Sequence, residues 1–186
     1  MDPSYTNASG ADSVGAVSTR AFLQQAVDHY PRLAAFCFML DLPYRETINE
    51  YRALILRFHT EVWQRIGEYS YQRQQARRHS PPTILRWLWE GASAPGCNMI
   101  LLMNLNTLGE GYHSPLNDNS LQDMNEMLCN AWLAVSDASY NAVTKLTTLV
   151  INRAGCGTFL SPFNQLKTRV QAMESPVVMG RTGTAG

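Results

Sequence analysis

The side chains best equipped for chemistry in this chain are scattered along it. Its four histidines, His29, His59, His79 and His113, show no metal-ligand spacing. Cys37, Cys97, Cys129 and Cys156 contain no Cys-x-x-Cys pair, and the first three sit among apolar residues, so they read as structural thiols. There is no phosphate-binding Gly-rich loop of the Walker type and no Gly-x-Ser-x-Gly nucleophile elbow. Asp41 and Glu90 are candidates for a carboxylate pair across a sheet, with a turn role for Asp41 the plainer reading. Arg73 to His79 is a basic run. Arg73, Arg77 and Arg78 within it, with Arg169 and Lys167 later, are the candidate contacts for phosphate or an acidic protein surface. The plain alternative is a solvated helix end favoured by the macrodipole.

The bulk properties narrow the classes. With 186 residues, 45% of them apolar, the chain is long enough for one domain with a sizeable core. Formal net charge is zero, so no overall field draws nucleic acid or acidic membrane. Basic residues are 13 Arg against two Lys, Lys145 and Lys167, which suits planar contacts to carboxylate or phosphate. No signal peptide is visible, and no apolar run approaches the ~20 residues of a membrane span. The expectation is a soluble, cytosolic protein in a reducing compartment, with no membrane contact. The sequence is silent on oligomeric state.

These side chains must be positioned by alternating helices and strands. Residues 1–17 are small and polar and are expected to be disordered. Ser18 or Thr19 can cap a helix to about His29, which Pro31 ends. Leu33 to Leu42 is nearly continuously apolar, as in a central strand covered on both faces. Residues 45 to about 78 carry Tyr51, Leu54, Ile55, Phe58, Val62 and Ile66 at three- and four-residue steps, a long amphipathic helix. Thr83 to Glu90 reads as a strand with Trp87 and Trp89 on one face, more suited to the core than to stacking bases. A loop through Pro95 and Gly96 leads into Cys97 to Asn104, an apolar run closed by a polar residue at each end, giving an antiparallel hairpin. Leu105 to Asn119 is loop-like, and Ser120 can cap a helix to about Val135. A strand over Thr147 to Asn152, a helix from about Ser161 to Met173 and an edge strand at Val177 to Met179 complete the pattern. The predicted fold is α+β: a mostly antiparallel central sheet with helices packed on its faces, one domain over residues 18–179 and a loose tail over 180–186.

This order of elements resembles the C-terminal domain of the YagK/YfjJ prophage proteins and related filamentous-phage replication proteins, relatives of the HUH endonucleases that nick single-stranded DNA. The family strand ending in Asp-Leu is matched by Met39-Leu40-Asp41-Leu42, without the preceding arginine. The family strand opening His-aromatic-His is matched by Gly96-Cys97-Asn98 and the apolar run to Asn104, with both histidines replaced. Gly109-Glu110-Gly111-Tyr112 matches a Gly-acidic-Tyr element with one insertion. Ala131-Trp132 matches an Ala-Trp helix. Phe163-Asn164-Gln165-Leu166-Lys167 is the counterpart of Ser-Tyr-x-x-Lys. The resemblance covers about residues 20 to 182.

The resemblance implies a nicking chemistry in which two histidines hold a cation that polarises the phosphate and a tyrosine attacks it. Gly96, Asn98 and Asn164 stand at those three positions, so they are degenerate active-site positions, with Lys167 the remaining phosphate contact. Tyr140, before Lys145, is a displaced-nucleophile candidate whose spacing to lysine is one residue too long. The expectation is therefore no catalytic residue, no metal and no cofactor. The chain reads as a binding protein of a phage, prophage or plasmid, which implies the cytoplasm of a bacterial host. Its expected target is a host protein or ribonucleoprotein, of which a CRISPR surveillance complex is a concrete version. Neutral charge favours protein contact, because nonspecific nucleic-acid binding rests on phosphate neutralisation. The alternatives are a DNA-binding replication or regulatory protein and a metal-dependent nickase with displaced residues.

Overall fold

Strand β1 (Arg32–Asp41) is buried along nearly its whole length, which demands a layer on each face of the sheet. Both layers are present in the computed structural model, which describes residues 10–91, 96–109, 117–138, 140, 142–153 and 159–181. β1 lies in a sheet with β2 (Leu85–Glu90), β3 (Gly96–Asn104), β4 (Val143–Asn152) and β5 (Pro176–Arg181). The order is β4-β1-β3-β2-β5, and every neighbouring pair is antiparallel. Helices α2 (Ile48–Gln75) and α3 (Asp118–Val135) pack on one face, α1 (Gly10–His29) and α4 (Leu160–Gln171) on the other. This is the α+β architecture expected from the residue pattern.

Period-2 alternation splits the core into two clusters. Ala34, Phe36, Phe38 and Leu40 of β1, with Trp87 and Trp89 of β2, face α2 and α3. Leu33, Ala35 and Cys37 of β1, with Ile100 and Leu102 of β3, face α1 and α4. Both tryptophans are core residues, as their spacing suggested. Phe58 of α2 sits among Phe38, Trp87 and Trp132, with ring centroids 6.3, 5.9 and 5.9 Å away. His59, also buried, stacks on Trp87 at 3.9 Å.

Local chemistry sets the ends of the elements. Thr47 and Glu50 form a capping box that starts α2 three residues later than the apolar period suggested. Its C-terminus closes on a left-handed Arg77 (φ 57°). The Arg78 N–H donates to Arg73 O and the Arg77 N–H to Gln74 O, a Schellman arrangement that ends the helix before residue 78. Asn117, not Ser120, caps α3: its Oδ1 accepts from Ser120 N at 2.8 Å, while Ser120 Oγ donates to Leu108 O. α1 begins at Gly10 rather than at Ser18 or Thr19, within the stretch that composition marks as loose. β4 begins at Val143, four residues before Thr147, and β5 runs on through Gly180 to Arg181. The Gly91 N–H donates to Ser175 O across the β2–β5 edge, so close that a Cβ at Gly91 would stand 2.9 Å from that oxygen. Positions 1–9, Pro95, Glu110 to Tyr112, His113, Cys156 and 182–186 lie outside the described residues. No described helix is long and apolar enough to cross a membrane.

Candidate binding cleft

The run that lacks histidine is the middle strand of the sheet. Alternation from Ile100 and Leu102 places Gly96 and Asn98 on the α1/α4 face of β3. A cleft of about 240 Å³ opens there between the sheet and the C-terminal end of α4. Cys37 and Met39 of β1, Glu90 of β2, Asn98 of β3, Lys145 of β4 and Arg169 of α4 line it.

Two contacts define its floor. A Cβ built on Gly96 would lie 3.1 Å from Met39 Sδ, so the methionine thioether occupies the space a larger residue 96 would need. Asn98 Nδ2 donates to Glu90 Oε1 at 2.6 Å. A carboxylate can only accept, so the donor end of the amide faces Glu90.

Lys145 enters the cleft through a backbone irregularity. Cys37 pairs with Thr147 and Met39 with Thr144, so Phe38 opposes two residues, Lys145 and Leu146. That is a β-bulge, and its first residue, Lys145, has φ 55°. Glycine normally takes this position; a lysine there costs on the order of 1–3 kcal/mol.

The cleft contains one thiol. Burial pushes Cys37 up to about 11, with the nearby Arg169 guanidinium acting in the opposite direction. It is therefore protonated at neutral pH and a poor nucleophile. Cys97, on the opposite face of β3, is pushed up to about 12 by burial and by the charge of Glu90. Cys37, Cys97 and Cys129 are free thiols. No group of three or more His, Cys, Asp or Glu able to hold a metal ion occurs among the described residues.

The residues singled out from the sequence are brought together only in part. Gly96, Asn98 and Arg169 converge at the cleft. Asn164 is exposed on α4 and lines an adjoining, shallow depression with Leu160 and Thr168, which shares Arg169 with the cleft. Lys167 places its Nζ 4.9 Å over the Phe163 ring and does not line the cleft. Tyr140 is exposed and likewise outside it. Asp41 pairs with Gly96 on β3, whereas Glu90 lies beyond β3 on β2 and binds Asn98, so the two carboxylates do not pair.

The arginine patch also divides, because α2 and α4 pack on opposite faces of the sheet. Arg73, Arg77 and Arg78 are together at the end of α2, and Arg169 is not with them. Arg73 is a brace: its Nη2 donates to Gly109 O at 2.7 Å, its Nη1 reaches Tyr69 OH at 3.3 Å, and the guanidinium lies 5.4 Å from the Tyr69 ring centroid. Arg77 is the left-handed helix cap. Sequence reasoning passed over Met39 and treated Lys145 only as a spacing marker. The scarcity of lysine was the signal for Lys145; no local signal marks Met39.

No curated protein and no solved structure matches the chain. The model of a family described as "Uncharacterised conserved protein UCP030791" matches residues 11–147, well over half of the chain. That span holds Met39, Glu90, Gly96, Asn98 and Lys145 and stops short of α4 and Arg169. The chain thus belongs to the UCP030791 family.

Proposed function

We propose that this is a non-catalytic binding protein built on a scaffold resembling that of replication initiators, acting in the cytoplasm of a bacterial host on a protein or ribonucleoprotein target. The observation that carries the reading is the filled position beside β3. A metal cradle at Gly96 and Asn98 needs two side chains offering lone pairs to a cation. At Gly96 the space holds the Met39 thioether, and at Asn98 the amide turns its N–H to Glu90. These residues do not fit a divalent cation. The protonated Cys37 and the exposed position of Asn164 add no nucleophile. Zero net charge favours a protein surface over a bare phosphate backbone. The resemblance to phage replication proteins supports a mobile-element origin and a target among host defence complexes.

The test is direct. The full chain, incubated with single-stranded DNA and Mn²⁺, should leave the DNA intact. A cut product that disappears in Tyr140→Phe would overturn the reading in favour of a displaced nickase. A tagged chain recovered from host lysate should keep one identified protein partner after nuclease treatment, whereas loss of all partners with nuclease would assign it to nucleic acid.

A further inference from the structure

Among the described residues, the two exposed cations at the cleft have no carboxylate counter-ion. Among the described residues neither Lys145 nor Arg169 forms an ion pair with a carboxylate; the pair that does form is Arg65–Glu61 on α2. The carboxylate that shares the cleft, Glu90, is held by Asn98. In the order β4-β1-β3-β2, Glu90 is three strands away from Lys145. At ~4.8 Å per strand that is ~14 Å of backbone separation. The cleft is therefore polarised, positive at the β4 side and negative at the β2 side, over a floor of Met39, Ile100 and Met173.

Lys145 is also the position at which the chain accepts strain. A glycine would satisfy the bulge without penalty, and Thr144 and Thr147 nearby show that a polar strand surface needs no lysine. What the left-handed lysine adds is a cation over the cleft. Strain of this kind persists where the position has a use.

We propose that this cleft binds a carboxylate-bearing peptide, with one acidic side chain between Lys145 and Arg169 and a neighbouring apolar side chain on the methionine floor. It deepens the protein-binding reading and rests on it. A strand of nucleic acid fits worse, because its phosphates repeat at intervals that would set one against Glu90. A single carboxylate flanked by apolar residues meets the cations at one end and leaves Glu90 and Asn98 to meet backbone amides. The bonds to Lys145, Arg169 and Glu90 are charge-assisted.

The test is a titration of the full chain in a buffer free of phosphate and acetate, followed by backbone amide NMR shifts of Asn98, Ile100, Lys145 and Arg169. The probes are acetyl-Ala-Leu-Glu-Leu-Ala-amide, its Gln counterpart, inorganic phosphate and a ten-nucleotide oligo-dT. The Glu peptide should move these amides with an affinity at least about tenfold above the Gln peptide. Arg169→Gln should remove that preference without changing the melting temperature. Lys145→Gly should remove it too, while raising Tm by at least about 2 °C as the strain is lost. Equal response to the Glu and Gln peptides would overturn the proposal, as would tighter binding of oligo-dT. A response to inorganic phosphate as strong as that to the Glu peptide would reduce the cleft to a general anion site and also refute it. DNA cleavage would sink the non-catalytic reading whatever this titration gave, so the two failures are distinguishable.

Discussion

Arg73→Ala separates a brace from a binding contact. In the wild type Arg73 Nη2 donates to the carbonyl of Gly109 at 2.7 Å, joining the end of α2 to the segment after β3. Losing a hydrogen bond from a charged group costs about 1.5–3 kcal/mol. The contact with Tyr69, through its hydroxyl at 3.3 Å and its ring at 5.4 Å, adds about 0.5–1 kcal/mol. Against this, Arg73 Nε is buried with no hydrogen-bond partner among the described residues, and removing it returns roughly 1 kcal/mol. The net expectation is a loss of about 2 kcal/mol, or a fall in Tm of about 4–8 °C. Arg77→Gly in the same helix end should act oppositely, stabilising by about 0.5–1 kcal/mol, because φ 57° suits glycine. Thermal and urea melts of the two variants, beside partner capture, decide the matter. Should Arg73→Ala melt within about 1 °C of wild type while capture fails, the bracing argument is wrong and Arg73 belongs to a contact surface.

The buried thiols make stability fall in alkali. Unfolded thiols lose their protons near 9.0, whereas Cys37 and Cys97 hold theirs to about 11 and about 12, so the unfolded state binds fewer protons across that window. Their contribution is complete below about pH 9 and is lost as pH climbs toward the folded values. A urea midpoint that is flat from pH 7 to 8.5 and declines above 9, with the decline reduced in Cys97→Ala, is the expected result; an unchanged decline in that variant would contradict it. In native protein at pH 8, Cys129, half-buried, should alkylate before either of them. Phe58→Ala should cost about 3–5 kcal/mol, since it empties a site with 0% exposure between Trp87, Trp132 and Phe38. A cost below about 1.5 kcal/mol in urea unfolding would show that this cluster closes over the gap.

Much of the scaffold is encoded in short-range signals. The unbroken apolarity of Leu33 to Leu42 placed β1 inside a covered sheet, and the three- and four-residue recurrence from Tyr51 to Ile66 placed α2, because burial repeats with backbone geometry. Trp87 and Trp89 shared a face for the same reason. The ends of elements were harder to read. Thr47, Asn117 and Arg77 terminate helices through single hydrogen bonds or one dihedral angle, which hydrophobic period does not register.

The cleft depended on long-range pairing. The absence of histidine beside β3 was plain in the residues themselves, and Asn98 could be singled out from it. That Met39 covers Gly96, that Asn98 meets Glu90, and that Arg169 rather than Asn164 or Lys167 turns toward them all follow from strand order and helix phase. Lys145 reaches the same place only because one extra residue in β4 bends the strand opposite Phe38. Residue types and local periodicity determined a two-sided antiparallel sheet without a histidine cradle. Which side chains share the space left over was decided by register and handedness, quantities that exist only once distant segments have paired.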